Sequence, residues 1–162
     1  MCSSDLAELP RFRRPVAVVS LFAPALFDRN LDADRPHLGP GLVWLPGRHR
    51  SSLAAMVRWM VPYHSEAAIE RSILATREVL RATVDLARAR RATCFILVPQ
   101  FAPEQPAERE VRRRILDEAG LPYERVELDP SWHIPWDRHP DARGARALAL
   151  AVANRLRREI KR

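Results

Sequence analysis

Lysine is almost absent from this chain. Lys161 is the only one in 162 residues, although lysine and arginine together number 27 against 20 acidic residues. The net charge of +7 is therefore carried by arginine. The arginines are spread along every expected helix and interleaved with Glu, Asp and Ala, so they form no single basic face. Arginine with abundant Ala and Pro is the usage that GC-rich codons produce. No aromatic-basic platform, zinc-ligand set or Gly-rich phosphate loop accompanies the charge, and the composition argues against a nucleic-acid surface or a bound cofactor. Cysteine is scarce as well. Cys2 and Cys94 give no support for a disulfide framework or a metal site. No apolar run reaches membrane-spanning length; the longest, Pro15 to Phe27, is broken by Ser20 and Pro24. The first residues are polar and acidic, unlike a signal peptide.

What is present is enough for one globular domain, with 47% hydrophobic residues. Pro15–Ala23 is β-branched and apolar on both faces, as in a strand of a covered parallel sheet. Residues 24–63 form a long loop with a short helix over Ser52–Met60 that carries Met56, Trp59 and Met60. Ser65 caps a helix running to about Arg91, with Ile69, Ile73, Thr76, Leu80, Val84 and Ala87 as its buried stripe. Ala92–Val98 is a second strand, ended by Pro99, with Cys94 as a small buried hydrophobe. Glu104–Ala119 is a second amphipathic helix. Its inward residues are Val111, Ile115, Leu116 and Ala119, and Gly120 is its stop. Tyr123–Leu128 is a third strand. A Pro- and Trp-containing loop follows to His139, and Pro140 opens a last helix burying Ala145, Leu148, Ala149, Val152, Leu156 and Ile160. Strands alternating with helices imply a parallel sheet, with the ligand crevice beyond the carboxyl ends of its strands. Both the 24–63 loop and the 129–140 loop open on that edge.

The second of those loops carries Asp137-Arg138-His139-Pro140. On an extended segment, residues two apart point the same way, with Cα atoms about 7 Å apart. Pro140 pushes His139 toward that geometry. The Asp137 carboxylate then reaches Nδ1 of the imidazole and leaves Nε2 free. Seated at the cap of the last helix, His139 would feel the positive end of that helix, which disfavours imidazolium. A neutral imidazole held in one tautomer is what a general base needs. The same spacing also fits a surface carboxylate beside a helix-capping histidine.

The block Ile134-Pro135-Trp136-Asp137-Arg138-His139-Pro140-Asp141-Ala142-Arg143-Gly144-Ala145-Arg146-Ala147-Leu148-Ala149 resembles the terminal block of the SGNH/GDSL hydrolase family. There an Asp and a His precede the last helix, often as Asp-Gly-His-Pro-Asn-x-x-Gly-His. Ile115–Tyr123 resembles that family's approach to its final strand. Val16–Asn30, with Phe22 and Asp28-Arg29-Asn30, resembles its third strand and following loop. The resemblance implies a three-layer α/β/α fold with a parallel sheet, SGNH/flavodoxin-like, truncated on its N-terminal side. It implies a serine esterase or lipase acting on a small-molecule, lipid or carbohydrate acyl ester. Asp137 and His139 would be the catalytic orienter and base. A close variant is an acyltransferase of the same fold. The rival reading is a non-catalytic α/β module holding an anionic partner through Arg138, Arg143 and Arg146. Trp132 and Trp136 would line an acyl pocket or pack the loop.

Two departures stand out. The family's polar site residue after the third strand is replaced by Ala23-Pro24-Ala25-Leu26, so no oxyanion role is assigned there. None of Ser3, Ser4, Ser20, Ser51, Ser52, Ser65, Ser72 or Ser131 lies in a Gly-Asp-Ser-like turn. The resemblance therefore implies that residues 7–162 are the C-terminal part of the domain, with the serine block upstream. Met1–Leu6 is expected to be a non-native leader, because Cys2-Ser3-Ser4-Asp5-Leu6 is what a common sequencing adaptor encodes. The strand at Pro15 would then be left as an open apolar edge.

Overall fold

The structure, a computed structural model, describes residues 17–31, 37–38, 40–47, 64–135 and 137–160. In chain order the elements are β1 (Ala17–Leu21), a 3-10 segment (Pro24–Leu31), β2 (His37–Leu38), a 3-10 turn (Pro40–Leu42) and β3 (Trp44–Leu45). Then come α1 (Glu66–Ala89), β4 (Thr93–Gln100), α2 (Pro106–Arg112) continued by a π turn (Arg113–Asp117), and β5 (Tyr123–Glu127). β6 (His133–Ile134), β7 (Asp137–Pro140) and α3 (Ala142–Ile160) complete the chain. The expected helix over Ser52–Met60, the start of the first strand at Pro15, and Trp136 lie outside the described residues.

The protein is mixed α/β. β1, β4 and β5 form a parallel sheet in the order β1-β4-β5, and β2–β3 and β6–β7 are small antiparallel ribbons. β4 is the central strand and alternates between two faces. Ile96 and Val98 join Ile73, Leu80 and Val84 of α1 and Ile115 and Leu116 of the π turn in the main core, with Phe22 and Phe27. Phe95 points the other way, where the Arg155 guanidinium of α3 lies 5.9 Å from its ring centre.

The sequence places Pro99 at the end of this strand, yet β4 runs on through Pro99 to Gln100. The hydrogen-bond pattern explains why. Ile96 N–H donates to the Pro122 carbonyl and Leu128 N–H donates to the Gln100 carbonyl, so even-numbered residues of β4 face β5. Leu97 accepts from Phe22 N–H, so odd-numbered residues face β1. β1 is paired only as far as Leu97. The N–H that Pro99 lacks would face the β1 side, where that ladder ends at Leu97, so the β4–β5 ladder continues through Pro99 untouched.

α1 starts as expected, with Ser65 extended and its hydroxyl accepting from Ala68 N–H at 3.3 Å. Its buried face is wider than the expected stripe. Ala75, Val79 and Thr83 are buried, whereas Ile69 and Thr76 are only half-buried. α1 and the α2 unit end by one device. Ala92 N–H reaches back to Ala87 and Arg91 N–H to Arg88, with Arg91 left-handed at φ 57°. Leu121 N–H reaches Leu116 and Gly120 N–H reaches Asp117, with Gly120 at φ 61°. Both are Schellman caps. The second has the expected glycine and the first does not.

The second helix is shorter than Glu104–Ala119 and begins at Pro106. It widens to a π turn whose Glu118 N–H bonds the Arg113 carbonyl five residues back. On α3, Leu148, Val152 and Leu156 are half-buried as expected, but Ala145 and Ala149 are exposed. The stripe is rotated so that Arg155, rather than an apolar residue, sets its guanidinium over the Phe95 ring of the sheet.

Candidate functional site

The loop after β5 lies at the carboxyl end of the sheet. It folds into the β6–β7 ribbon, with Ile134 paired to Asp137 and His133 to Pro140. A regular ribbon closed by Ile134 and Asp137 would pair His133 with Arg138. The observed pairing leaves Arg138 and His139 as two extra residues on β7. Such bulges re-aim side chains, and they concentrate beside active sites. The ribbon leans over the end of β4, where His133 and Phe101 place their ring centres 6.3 Å apart.

Inside that bulge the structure joins the two residues singled out from the sequence. His139 Nδ1 lies 2.5 Å from Asp137 Oδ1. The same oxygen accepts the His139 backbone N–H at 3.2 Å. An ionised carboxylate only accepts, so Nδ1 carries the proton and Nε2 keeps a bare lone pair in the neutral ring. Among the described residues, Nε2 has no hydrogen-bond partner. His139 is 71% exposed and Asp137 47%, so the pair opens outward. Spacing and Pro140 anticipated the contact. They did not reveal the bulge, or that Asp137 also ties down the backbone of its partner.

The end of the last helix is placed differently from the sequence expectation. α3 begins at Ala142, not at Pro140, and its cap is Asp141 rather than His139. Asp141 Oδ1 accepts Arg143 N–H at 2.8 Å and Gly144 N–H at 3.0 Å. The Gly144 N–H, and then the Arg143 guanidinium, hold the Asp141 carboxyl below its usual range. The helix terminus thus meets a carboxylate, and the argument that its positive end acts on His139 falls away.

Among the described residues, no serine is placed as a nucleophile for His139. Ser65 caps α1. Ser20 is 1% exposed within β1. Ser131 turns toward Asp129, whose carboxyl is held low by the Ser131 hydroxyl and by the Ser131 N–H at 2.8 Å. Ser51 and Ser52 lie outside the described residues. In the Ala23–Leu26 turn, Leu26 N–H is spent on the Ala23 carbonyl at 2.9 Å. Arg143 and Arg146 of the arginine-rich alternative both lie on α3. Arg143 is engaged by Asp141 and donates to the Ser131 carbonyl at 3.0 Å. Arg146 is exposed, and the Arg138 side chain lies outside the described residues. Trp132 is half-buried at the root of β6.

Among the described residues, no cluster of His, Cys, Asp and Glu is placed to hold a metal ion, and no helix is long and apolar enough to cross a membrane. Compared with protein-family models, curated proteins and solved structures, the chain matches none of them.

Proposed function

We propose that Asp137 and His139 are the orienting carboxylate and general base of a Ser-His-Asp acyl-ester hydrolase, built on a three-layer α/β/α fold of the SGNH type. One observation carries the reading: the 2.5 Å contact that fixes Nδ1 and leaves Nε2 open at the carboxyl edge of a parallel sheet. Its chemistry follows the triad scheme. His139 Nε2 takes the proton of a serine hydroxyl as that oxygen attacks the acyl carbon, and then returns it to the departing alcohol. Asp137 stabilises the imidazolium formed in between. The serine comes from a strand beyond β1, where the strand order of such sheets reverses and ligands bind. Hydrolysis and acyl transfer differ only in whether water or an alcohol takes the acyl group from serine, and product analysis separates them.

The test uses the polypeptide extended upstream to include the serine block. A fluorophosphonate probe should label that serine, and His139→Ala should abolish labelling. Asp137→Asn should lower kcat on p-nitrophenyl esters by roughly 10³- to 10⁴-fold. Labelling that survives His139→Ala, or an extended polypeptide that neither labels nor hydrolyses esters, would sink the proposal.

A further inference from the structure

We infer that Gly144 is a positioning residue for His139, because the space a side chain would fill there is taken by Trp132, which leads into the ribbon carrying the Asp137–His139 pair, and by Pro140, which ends it. Gly144 is the third residue of α3 and is buried. Glycine inside a helix costs about 1 kcal/mol relative to alanine. Its φ is not left-handed, so backbone conformation does not require it. Space does. A Cβ at this position would lie 2.9 Å from the Trp132 carbonyl oxygen and 3.0 Å from Pro140 Cβ. Trp132 leads into β6, and Pro140 ends β7.

Those two neighbours cannot give way freely. The Trp132 carbonyl is backbone and accepts Asp141 N–H at 2.9 Å. Pro140 is rigid and is paired with His133. A methyl group would therefore push α3 away from the ribbon or displace Pro140. The bulge holding His139 lies between Asp137 and Pro140, so either movement reshapes it. The Nδ1–Oδ1 contact sits within that bulge and opens when the bulge is reshaped.

The inference rests on the proposed base-and-orienter pair, but its test needs neither serine nor substrate. The His139 Nδ1 proton, held by the Asp137 carboxylate, should give a low-field proton NMR resonance in the chain as it stands, assigned by its loss in His139→Gln. Gly144→Ala should abolish that resonance and move the ring nitrogen shifts toward those of an unrestrained imidazole. Gly120→Ala serves as control. It disturbs a left-handed site with nothing within 4 Å, so it should lower stability and leave the resonance in place. Asp141→Ala, which unties Gly144 N–H without adding atoms, should weaken the resonance and covers the case in which Gly144→Ala does not fold. A resonance unchanged in Gly144→Ala, or in Asp141→Ala where that variant is the one that folds, would overturn the inference. So would equal loss in Gly120→Ala. Failure of ester hydrolysis with the resonance behaving as stated would count against the hydrolase reading alone.

Discussion

Asp129, Asp137 and Asp141 use their carboxylates in the same way. Each accepts the backbone N–H two residues on, from Ser131 at 2.8 Å, His139 at 3.2 Å and Arg143 at 2.8 Å. Aspartate favours this local bond, and three of them pin a loop that has little core of its own. The folded values of Asp129 and Asp141 are pulled below the ordinary 3.8. A depressed carboxylate contributes stability above its unfolded value, and that contribution is lost as pH falls through the folded value. Amides of residues 129–144 should therefore keep their hydrogen-exchange protection down to about pH 4 and lose it below, ahead of β4. Asp141→Asn should shift the acid loss in α3's first turn. The paired caps allow a second check. Arg91 occupies a left-handed position where glycine is favoured, so Arg91→Gly should raise stability by about 0.5–1 kcal/mol in urea unfolding. Gly120→Ala should lower it by about 1 kcal/mol. The Asp137–His139 pair was legible because its cause is local: two residues, one spacing and a following proline. The cap at Asp141 was misplaced because Pro140, a good first-turn residue, stands beside an equally good capping aspartate.

At the scale of elements, α2 is held by charge as much as by apolar burial. The Glu104 side chain is only 5% exposed and receives Arg112 at 2.7 Å and Arg109 at 3.3 Å, with Arg125 of β5 at 3.5 Å. Arg112 also donates to Asp117 at 2.9 Å and to the Tyr123 hydroxyl at 2.8 Å. Glu104 and Arg112 are the pair largely withdrawn from water, and removing one leaves the other uncompensated. Glu104→Ala should cost about 3 kcal/mol in urea unfolding, and a smaller loss would show that water replaces the carboxylate. None of this was visible as a motif, because Glu104, Arg112 and Arg125 share no short period. The π turn was equally hidden. Hydrophobic spacing near 3.6 cannot register one extra residue, and Ile115 and Leu116 are both fully buried across it. The antiparallel ribbon β2–β3 was missed for a related reason. Its strands have two residues each, too short for any alternation, and its link to α1 is a long-range bond from Gly41 N–H to Glu78 at 2.8 Å.

For the whole molecule, the alternation of strand and helix was enough to give a parallel α/β sheet, because crossovers of that length leave few other arrangements. It was not enough to give the strands' ends, which depend on which neighbour each N–H faces. Among the described residues no strand lies beyond β1. In β1 the even-numbered residues bond β4, as Phe22 does, so Val19 N–H faces the outer edge. Val19→Pro should then leave the β1–β4 ladder whole and block strand addition at that edge. Concentration-dependent association in sedimentation, suppressed by Val19→Pro, is the expected outcome; a monomer at all concentrations would show the edge to be protected. The order β1-β4-β5 in space is also the order in the chain. During synthesis each parallel strand can be laid against the one before it, without waiting for a later strand to slip between two already paired. The ribbon with His139, and the helix turn whose Gly144 presses on it, emerge after the sheet they rest on. The sheet can therefore pair its strands before the Asp137–His139 contact forms, so the frame precedes the pair it carries as the chain is made.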